Sequence, residues 1–298
     1  MLIRLAENSG FCYGVKRAIN IAEREAEKRA SGLVTIGPII HNPQVVKRLH
    51  DLGVVEVDDV TDGEGKPSIV RSHGLSRKKI KYMNDNNIEV IDATCPYVEK
   101  LQMKASLLSN EGYHIIILGD NKHPEVVALT SYIDGDYQVV NSASEVASKY
   151  YKKLAVVSQT TQTLEKFRAL VSKLLNISYE LHIVNTICSA TSVRQNGTRK
   201  LAKNSDIVIV IGGKMSSNTK MLATISSEYT TTYHIETYKE LKNEWFLDVE
   251  NVGITAGAST PDELIIEVYN KIININGDDE TKRFVSEIAV FKEEQNEF

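Results

Sequence analysis

The chain has 298 residues, with 35 Lys and Arg against 39 Asp and Glu for a formal net charge of −4, and 42% of it is hydrophobic. That length holds two or three domains of roughly 100 to 150 residues each, and the charge balance excludes an extended nucleic-acid surface while leaving a local anion pocket open. The longest aliphatic run, Ile207 to Ile211, is far short of the ~18 apolar residues that a membrane span needs, and Met1-Leu2-Ile3-Arg4 lacks the basic-then-apolar layout of a secretory signal. A cytoplasmic protein is expected. Three cysteines, Cys12, Cys95 and Cys188, are too few and too far apart for a disulfide framework, which leaves them as metal ligands or nucleophiles.

Short β-branched runs, each followed by a polar loop and a segment of helical period, predict an α/β architecture. The first strand is Leu2 to Ala6, with a loop holding Gly10-Phe11-Cys12-Tyr13-Gly14 and a helix over Val15 to Arg29. Leu33 to Gly37, His41-Asn42-Pro43 and a helix over Gln44 to Leu52 come next, then an extra strand at Val54 to Val57. Ser68 to Arg71, His73-Gly74 and a helix over Ser76 to Asn86 end this pass. The order restarts with Ile88 to Asp92, Cys95-Pro96 and a helix to Ser109, then His114 to Leu118, His123-Pro124-Glu125 and a helix to Tyr132. An extra strand at Tyr137 to Val140 precedes Leu154 to Ser158, Gln159-Thr160-Thr161 and a helix over Leu164 to Leu175. The third pass runs Leu181 to Asn185, Cys188, a helix to Lys203, then Asp206 to Ile211, Ser216-Ser217-Asn218 and a helix to Glu228. An extra strand at Thr232 to Glu236, Val252 to Thr255, Ser259 and a helix over Pro261 to Ile273 complete it.

The cysteines recur at intervals of 83 and 93 residues, one to each pass, so they occupy one equivalent position in three related units. Three α/β domains are expected. Ligands of open parallel sheets collect beyond the carboxyl ends of the strands, and a threefold arrangement would aim the polar loops at one central cavity. Three thiolates there suit zinc or an iron-sulfur cluster and leave one coordination position open. His41, His73 and His123 on strand-following loops offer donors to phosphate oxygens, and Ser216, Ser217, Asn218 and Ser259 add hydroxyl, amide and backbone donors. A single one of these histidines reads first as a loop histidine with a satisfied ring, and the serine stretches are equally helix caps. No Gly-x-x-x-x-Gly-Lys-Ser/Thr or Gly-x-Gly-x-x-Gly occurs, which argues against a P-loop nucleotidase or a standard dinucleotide enzyme. Glu125 is either a helix-start carboxylate or a proton donor in a dry cavity, with the Thr160 hydroxyl to orient it.

Taken in order, Gly10-Phe11-Cys12-Tyr13-Gly14-Val15, Ile40-His41-Asn42-Pro43, Ser72-His73-Gly74, Asp92-Ala93-Thr94-Cys95-Pro96, His123-Pro124-Glu125-Val126, Gln159-Thr160-Thr161, Ile187-Cys188 with Arg194-Gln195, Ser216-Ser217-Asn218 and Thr255-Ala256-Gly257-Ala258-Ser259 form a specific set. On them the sequence resembles the 4-hydroxy-3-methylbut-2-enyl diphosphate reductase family, which completes the methylerythritol phosphate route to isoprenoids. The resemblance implies three similar α/β domains with mainly parallel sheets, a pseudo-threefold trefoil around a central cavity. Their bounds would be 14–95, 96–187, and 1–13 with 188–276, so that the Leu2 strand joins the last domain.

It implies further that Cys12, Cys95 and Cys188 hold one 4Fe-4S cluster, and that His41, His73, His123, Thr160, Ser216, Ser217, Asn218 and Ser259 bind the substrate. Glu125, assisted by Thr160, would supply protons for reductive loss of the allylic hydroxyl, giving isopentenyl and dimethylallyl diphosphate. The partners implied are the allylic diphosphate and an external electron donor, ferredoxin or flavodoxin, with no nucleic acid and no membrane. Two departures from the family pattern lie beside Glu125: Gly119-Asp120-Asn121-Lys122-His123, where a second histidine is common, and Ala128, where glycine is. The competing readings are a zinc hydrolase of phosphorylated substrates and a non-catalytic metal or redox sensor. Residues 277–298 read as a charged tail, loosely held or strapped over another domain.

Overall fold

The computed structural model describes residues 1–29 and 32–276; the tail expected at 277–298 lies outside the described residues. In chain order the elements are β1 (Leu2–Leu5), α1 (Tyr13–Lys28), β2 (Leu33–Ile36), α2 (Pro43–Asp51), β3 (Val54–Val57), β4 (Ser68–Val70), α3 (Arg77–Asp85), β5 (Val90–Asp92) and α4 (Pro96–Asn110). There follow β6 (His114–Leu118), α5 (Pro124–Thr130), β7 (Tyr137–Val140), β8 (Tyr151–Ser158), α6 (Leu164–Leu174), β9 (Ser178–Ile183) and α7 (Ser189–Ala202). Last come β10 (Ile207–Ile211), α8 (Ser217–Ser227), β11 (Thr231–Ile235), β12 (Asn251–Ala256) and α9 (Asp262–Asn276).

The strands form three four-stranded sheets, β3-β2-β4-β5, β7-β6-β8-β9 and β11-β10-β12-β1, parallel throughout. The α/β expectation holds, and each sheet has the same order: second strand, first, third, fourth. The described residues divide into two compact units, Cys12–Gln195 with the first two sheets, and 1–11 with 196–276 around the third.

Parallel sheets wound by helices are apolar on both faces, so their strands read as continuous aliphatic runs rather than alternating ones. β6 and β10 show why. Ile115 and Ile117 pack with α4 and α5, whereas Ile116 and Leu118 face α6. Ile207, Ile209 and Ile211 pack against α9, and Val208 and Val210 join Ala202 and Leu222 on the opposite face. Each fully buried aliphatic side chain contributes roughly 1.5–3 kcal/mol, which ties the register of these central strands to both layers.

At the carboxyl end of each first strand stands a glycine whose N–H bonds the last residue of the second strand: Gly37 to Val57 O, Gly119 to Val140 O and Gly212 to Ile235 O, at 2.8, 2.8 and 2.9 Å. Gly37 and Gly212 hold φ of 69° and 144°, where L side chains are strained. There the chain turns away from the sheet, and the loops after first and third strands face each other across the point where the connections diverge.

Three expected strands shift. β5 starts at Val90, not Ile88, because Asn87 at φ 55° ends α3 and the Ile88 N–H bonds Met83 O at 2.9 Å, a Schellman closure. β8 starts at Tyr151, not Leu154, because Tyr151 is buried and pairs with Ser178 while the exposed Lys152-Lys153 obscures the run. β9 is Ser178–Ile183 rather than Leu181–Asn185. The Thr186 hydroxyl accepts from Ser158 N at 2.7 Å and donates to Ser158 O at 2.6 Å, replacing the ladder there. The Ile88 and Leu181 runs, read as openings of the second and third passes, are the fourth strands of the sheets before them. β1 likewise pairs with β12 as the fourth strand of the third sheet.

A Cβ on buried Gly257, directly after β12, would overlap the Thr219 hydroxyl at the start of α8. Gly257→Ala is therefore expected to destabilise the protein by about 1 to 3 kcal/mol through overpacking, measured by urea denaturation; an unchanged midpoint would show that Thr219 moves aside freely.

Candidate active site

Parallel strands deliver their loops to one edge of a sheet, and the two that flank the divergence point form its crevice. In the first sheet these loops follow β2 and β4 and carry His41 and His73. In the second they follow β6 and β8 and carry His123-Glu125 and Thr160. In the third they follow β10 and β12 and carry Ser216-Ser217-Asn218 and Ser259. Each cysteine follows a fourth strand, with Cys95 after β5, Cys188 after β9 and Cys12 after β1.

Within Cys12–Gln195 the three histidines meet. Ring centroids lie 4.5 Å apart for His41 and His73, 5.6 Å for His41 and His123, and 5.4 Å for His73 and His123. Three ring nitrogens lie within 4.8 Å of one another, a spacing that suits a metal ion and equally a set of phosphate oxygens. His123 caps α5, its Nδ1 accepting from Glu125 N at 3.2 Å, so in the neutral ring the proton sits on Nε2. Burial, then the neighbouring His41 and His123 and the cation of Arg71, holds His73 well below its ordinary value of 6.5, and its buried Nδ1 has no partner. At neutral pH His73 is an uncharged donor.

Glu125 is buried on the first turn of α5. Its Oε1 accepts from Thr160 N and its Oε2 from Thr160 Oγ1, both at 2.7 Å. Burial lifts its pKa, and the two Thr160 bonds pull the other way. Gln159 fixes this pair of loops, its Oε1 accepting from Asp120 N and its Nε2 reaching Thr161 Oγ1, both at 3.1 Å. Asp120 closes the turn with its Oδ1 on Lys122 N at 2.9 Å, and Ala128 is buried in α5.

Cys12, Cys95 and Cys188 are free and partly buried, immediately before α1, α4 and α7. Main-chain bonds tie two of them to the crevice loops, Cys95 N to Ser72 O at 3.0 Å and Cys188 N to Thr160 O at 3.1 Å. Arg17 on α1 reaches Thr94 O at 3.0 Å, and the Tyr97 hydroxyl lies 2.9 Å from Ser189 Oγ. The three helix starts are thereby linked. A Cβ on Gly14 would overlap Cys95 Sγ, so this glycine makes room for sulfur. Burial pushes the Cys95 thiol up to about 11 and also raises Cys188, against two bonds from Thr191. Arg194 is buried on α7; burial lowers its pKa while Cys12 and Cys188 favour its charge. Three thiols, a glycine cradle and a buried guanidinium suit a thiolate-ligated metal centre, whose cation would displace the thiol protons.

Ser216, Ser217, Asn218 and Ser259 belong to the other compact unit. Ser216 caps α8, its Oγ accepting from Thr219 N at 3.3 Å, and Ser217 is partly buried beside it. Asn218 is buried with neither amide atom partnered, and Ser259 is buried after β12. Gly14, Arg17, Gln159 and Arg194 were not singled out as site residues. For Arg194 the only signal in the sequence is its place on the helix that starts at Cys188; its burial, which an arginine accepts only when paired, is seen in the structure.

The LytB protein family matches residues 3–273. The 4-hydroxy-3-methylbut-2-enyl diphosphate reductase of Geobacter sulfurreducens is 46% identical over 274 residues, covering 91% of this chain and 97% of that protein. That of Aquifex aeolicus is 42% identical, covering 92% and 96%. A solved structure of (E)-4-hydroxy-3-methyl-but-2-enyl diphosphate reductase, described as the terminal enzyme of the non-mevalonate pathway, matches with a TM-score of 0.67 and 42% identity over 92% of this chain and 100% of the other. The E-1-hydroxy-2-methyl-but-2-enyl-4-diphosphate reductase of Plasmodium falciparum matches with a TM-score of 0.86 and 28% identity over 94% and 89%.

The titration of Glu125 has a measurable sign. Above its ordinary value of 4.5 the folded state keeps a proton that the unfolded chain releases, so stability falls as pH rises through the window up to the lifted value. His73 acts oppositely, because below its ordinary 6.5 the unfolded chain binds the extra proton and stability falls as pH drops. Denaturant melts across pH are expected to show the Glu125→Gln variant gaining stability relative to wild type as pH rises from the ordinary glutamate range; a pH-independent difference would mean that Glu125 is not held protonated.

Proposed function

The chain belongs to the LytB family of 4-hydroxy-3-methylbut-2-enyl diphosphate reductases and is an oxidoreductase of that specificity, and from this premise we propose that it removes the allylic hydroxyl of (E)-4-hydroxy-3-methylbut-2-enyl diphosphate to give isopentenyl and dimethylallyl diphosphate. The observation that carries this reading is the chain of contacts from buried Glu125 through both bonds of Thr160 to the N–H of Cys188. It sets a buried carboxyl, whose burial favours its protonated form, next to the loop that holds the Cys188 thiol. The reaction balances as two electrons and two protons taken up, one C–O bond broken, one C–H bond formed and one water released.

Cys12, Cys95 and Cys188 would hold a 4Fe-4S cluster, which would supply the electrons one at a time. The all-thiol donor set and the space at Gly14 support that choice. His73, neutral through burial, and His123, with its proton on Nε2, offer N–H donors to phosphate oxygens, and His41 completes the group. Ser216, Ser217, the unpartnered Asn218 amide and Ser259 would add donors at the start of α8 and after β12, where the helix dipole favours an anion. Burial favours the protonated form of Glu125, which would deliver its proton near the hydroxyl end, and Thr160 holds its carboxyl in one orientation. Electrons would come from ferredoxin or flavodoxin. Action in the cytoplasm belongs to the same proposal; among the described residues no helix is long and apolar enough to cross a membrane.

Anaerobic purification with a visible spectrum and iron, sulfide and zinc analysis tests the metal assignment. A brown protein that bleaches on reduction and responds to the allylic diphosphate is expected. Stoichiometric zinc in a colourless protein would instead assign the histidine triad or the thiols to a hydrolase. Cys12→Ser is expected to lose bound iron, and full iron content would remove Cys12 from the ligand set. Glu125→Gln is expected to lower kcat by roughly 10²- to 10⁴-fold with affinity for the diphosphate retained; a wild-type rate would take Glu125 out of the proton path.

A further inference from the structure

Immediately behind the cysteines the helices turn exposed side chains outward at helical spacing. On α1 these are Tyr13, Lys16 and Asn20, on α4 Tyr97, Lys100 and Lys104, and on α7 Ser189 and Val193. Residues three and four apart share a helix face, so each set is a stripe that starts at a cysteine. Arg17 to Thr94 O and Tyr97 to Ser189 join the three stripes at their cysteine ends, and the Lys100 ammonium lies 5.9 Å from the Tyr97 ring.

The charge of this collar departs from that of the chain. Lys16, Arg17, Lys100 and Lys104 stand on it against Glu99 and Asp92, and the Asp92 carboxylate is turned to the N–H of Thr94 at 2.8 Å. None of the four cations is ion-paired among the described residues, whereas the chain as a whole carries a net charge of −4. Tyr13 is 69% and Tyr97 40% exposed, large amphipathic surfaces at the centre of a basic rim. Interfaces between redox proteins are small and transient, and for such encounters a few lysines around an aromatic centre set the association rate and the orientation.

We propose that this collar, Tyr13-Lys16, Tyr97-Lys100-Lys104 and Ser189-Val193, is the docking surface for a small acidic one-electron carrier protein. The inference rests on the reductase reading, which requires two electrons from outside the chain. A carrier seated here meets the helix turns that begin directly after the cysteines, at Tyr13, Tyr97 and Ser189, and each encounter passes one electron inward while the carrier is oxidised by one. Nucleic acid, the other polyanion a basic patch attracts, would bring no electron to the reaction.

The test compares wild type with the Lys16→Glu/Lys100→Glu/Lys104→Glu variant, using two donors, an acidic ferredoxin and the small cationic reductant methyl viologen. With ferredoxin, kcat/KM for the carrier is expected to fall about tenfold or more and its decline with added salt to flatten, as for other steered encounters. With viologen, turnover is expected to hold or rise, since a cation gains nothing from the basic rim and is drawn to the reversed charge. Titration calorimetry of the carrier on the full chain gives a readout independent of turnover, and weaker binding by the variant is expected. Unchanged ferredoxin kinetics and affinity would overturn the collar, as would an equal loss with both donors, which would place these lysines in the fold or substrate site. A wild-type enzyme inert with viologen as well would sink the reductase reading itself.

Discussion

A parallel sheet whose first strand lies between its second and third must send consecutive connections in opposite directions, and the gap this opens at the carboxyl edge is what the rest of the protein is built on. The chain uses the device three times with the same order. Each time, the residue closing the first strand is a glycine bonded to the neighbouring strand, so the loop leaves the sheet at once and its polar side chains stand over the crevice. The histidines, Glu125 with Thr160, and the Ser216 loop with Ser259 stand on six loops of one type of position. The fourth strand of each sheet then delivers a cysteine to the start of a helix, where Cys95 and Cys188 are pinned by main-chain bonds to the crevice loops of the sheet just completed.

Burial does the chemical tuning. In water a glutamate at neutral pH is an anion and a histidine is partly protonated, whereas inside Cys12–Gln195 desolvation favours the neutral form of both. Burial biases Glu125 toward holding a proton it can give, and His73 keeps an N–H without a charge. The same desolvation leaves Cys95 and Cys188 protonated. A cation is the partner that would make these two thiols stable as thiolates, and the buried Arg194 guanidinium offsets part of the charge that would result. The outer faces of the same helices are wet and basic, so the thiols lie between a dry side suited to proton transfer and an exposed side suited to meeting another protein.

Much of this was legible in the residues. Aliphatic runs such as Ile207 to Ile211 announce strands buried on both faces, and the recurring cysteines announce three related units. Cys-Pro, His-Pro and Asn-Pro pairs announce helix starts with the functional side chain at the cap. What escaped was written in side-chain hydrogen bonds. β9 ends early because the Thr186 hydroxyl takes over the partners a strand would have used, and Gln159 braces the Glu125 loop from a neighbouring connection. The Ile88 and Leu181 runs look like beginnings because each is followed by a loop and a helix, yet hydrogen bonding makes them the last strands of finished sheets.

By itself the sequence determined the fold class, the threefold repetition, the residue types available for chemistry and the loops that carry them, because period, capping and turn preference are local and each is set within a few residues. Tertiary structure alone decided that His41, His73 and His123 form one cluster, that Glu125 is dry and doubly bonded to Thr160, and that a cysteine belongs to the sheet behind it. Those facts depend on distances between residues tens of positions apart and on the exclusion of water, and both arise only when the sheets close over their helices.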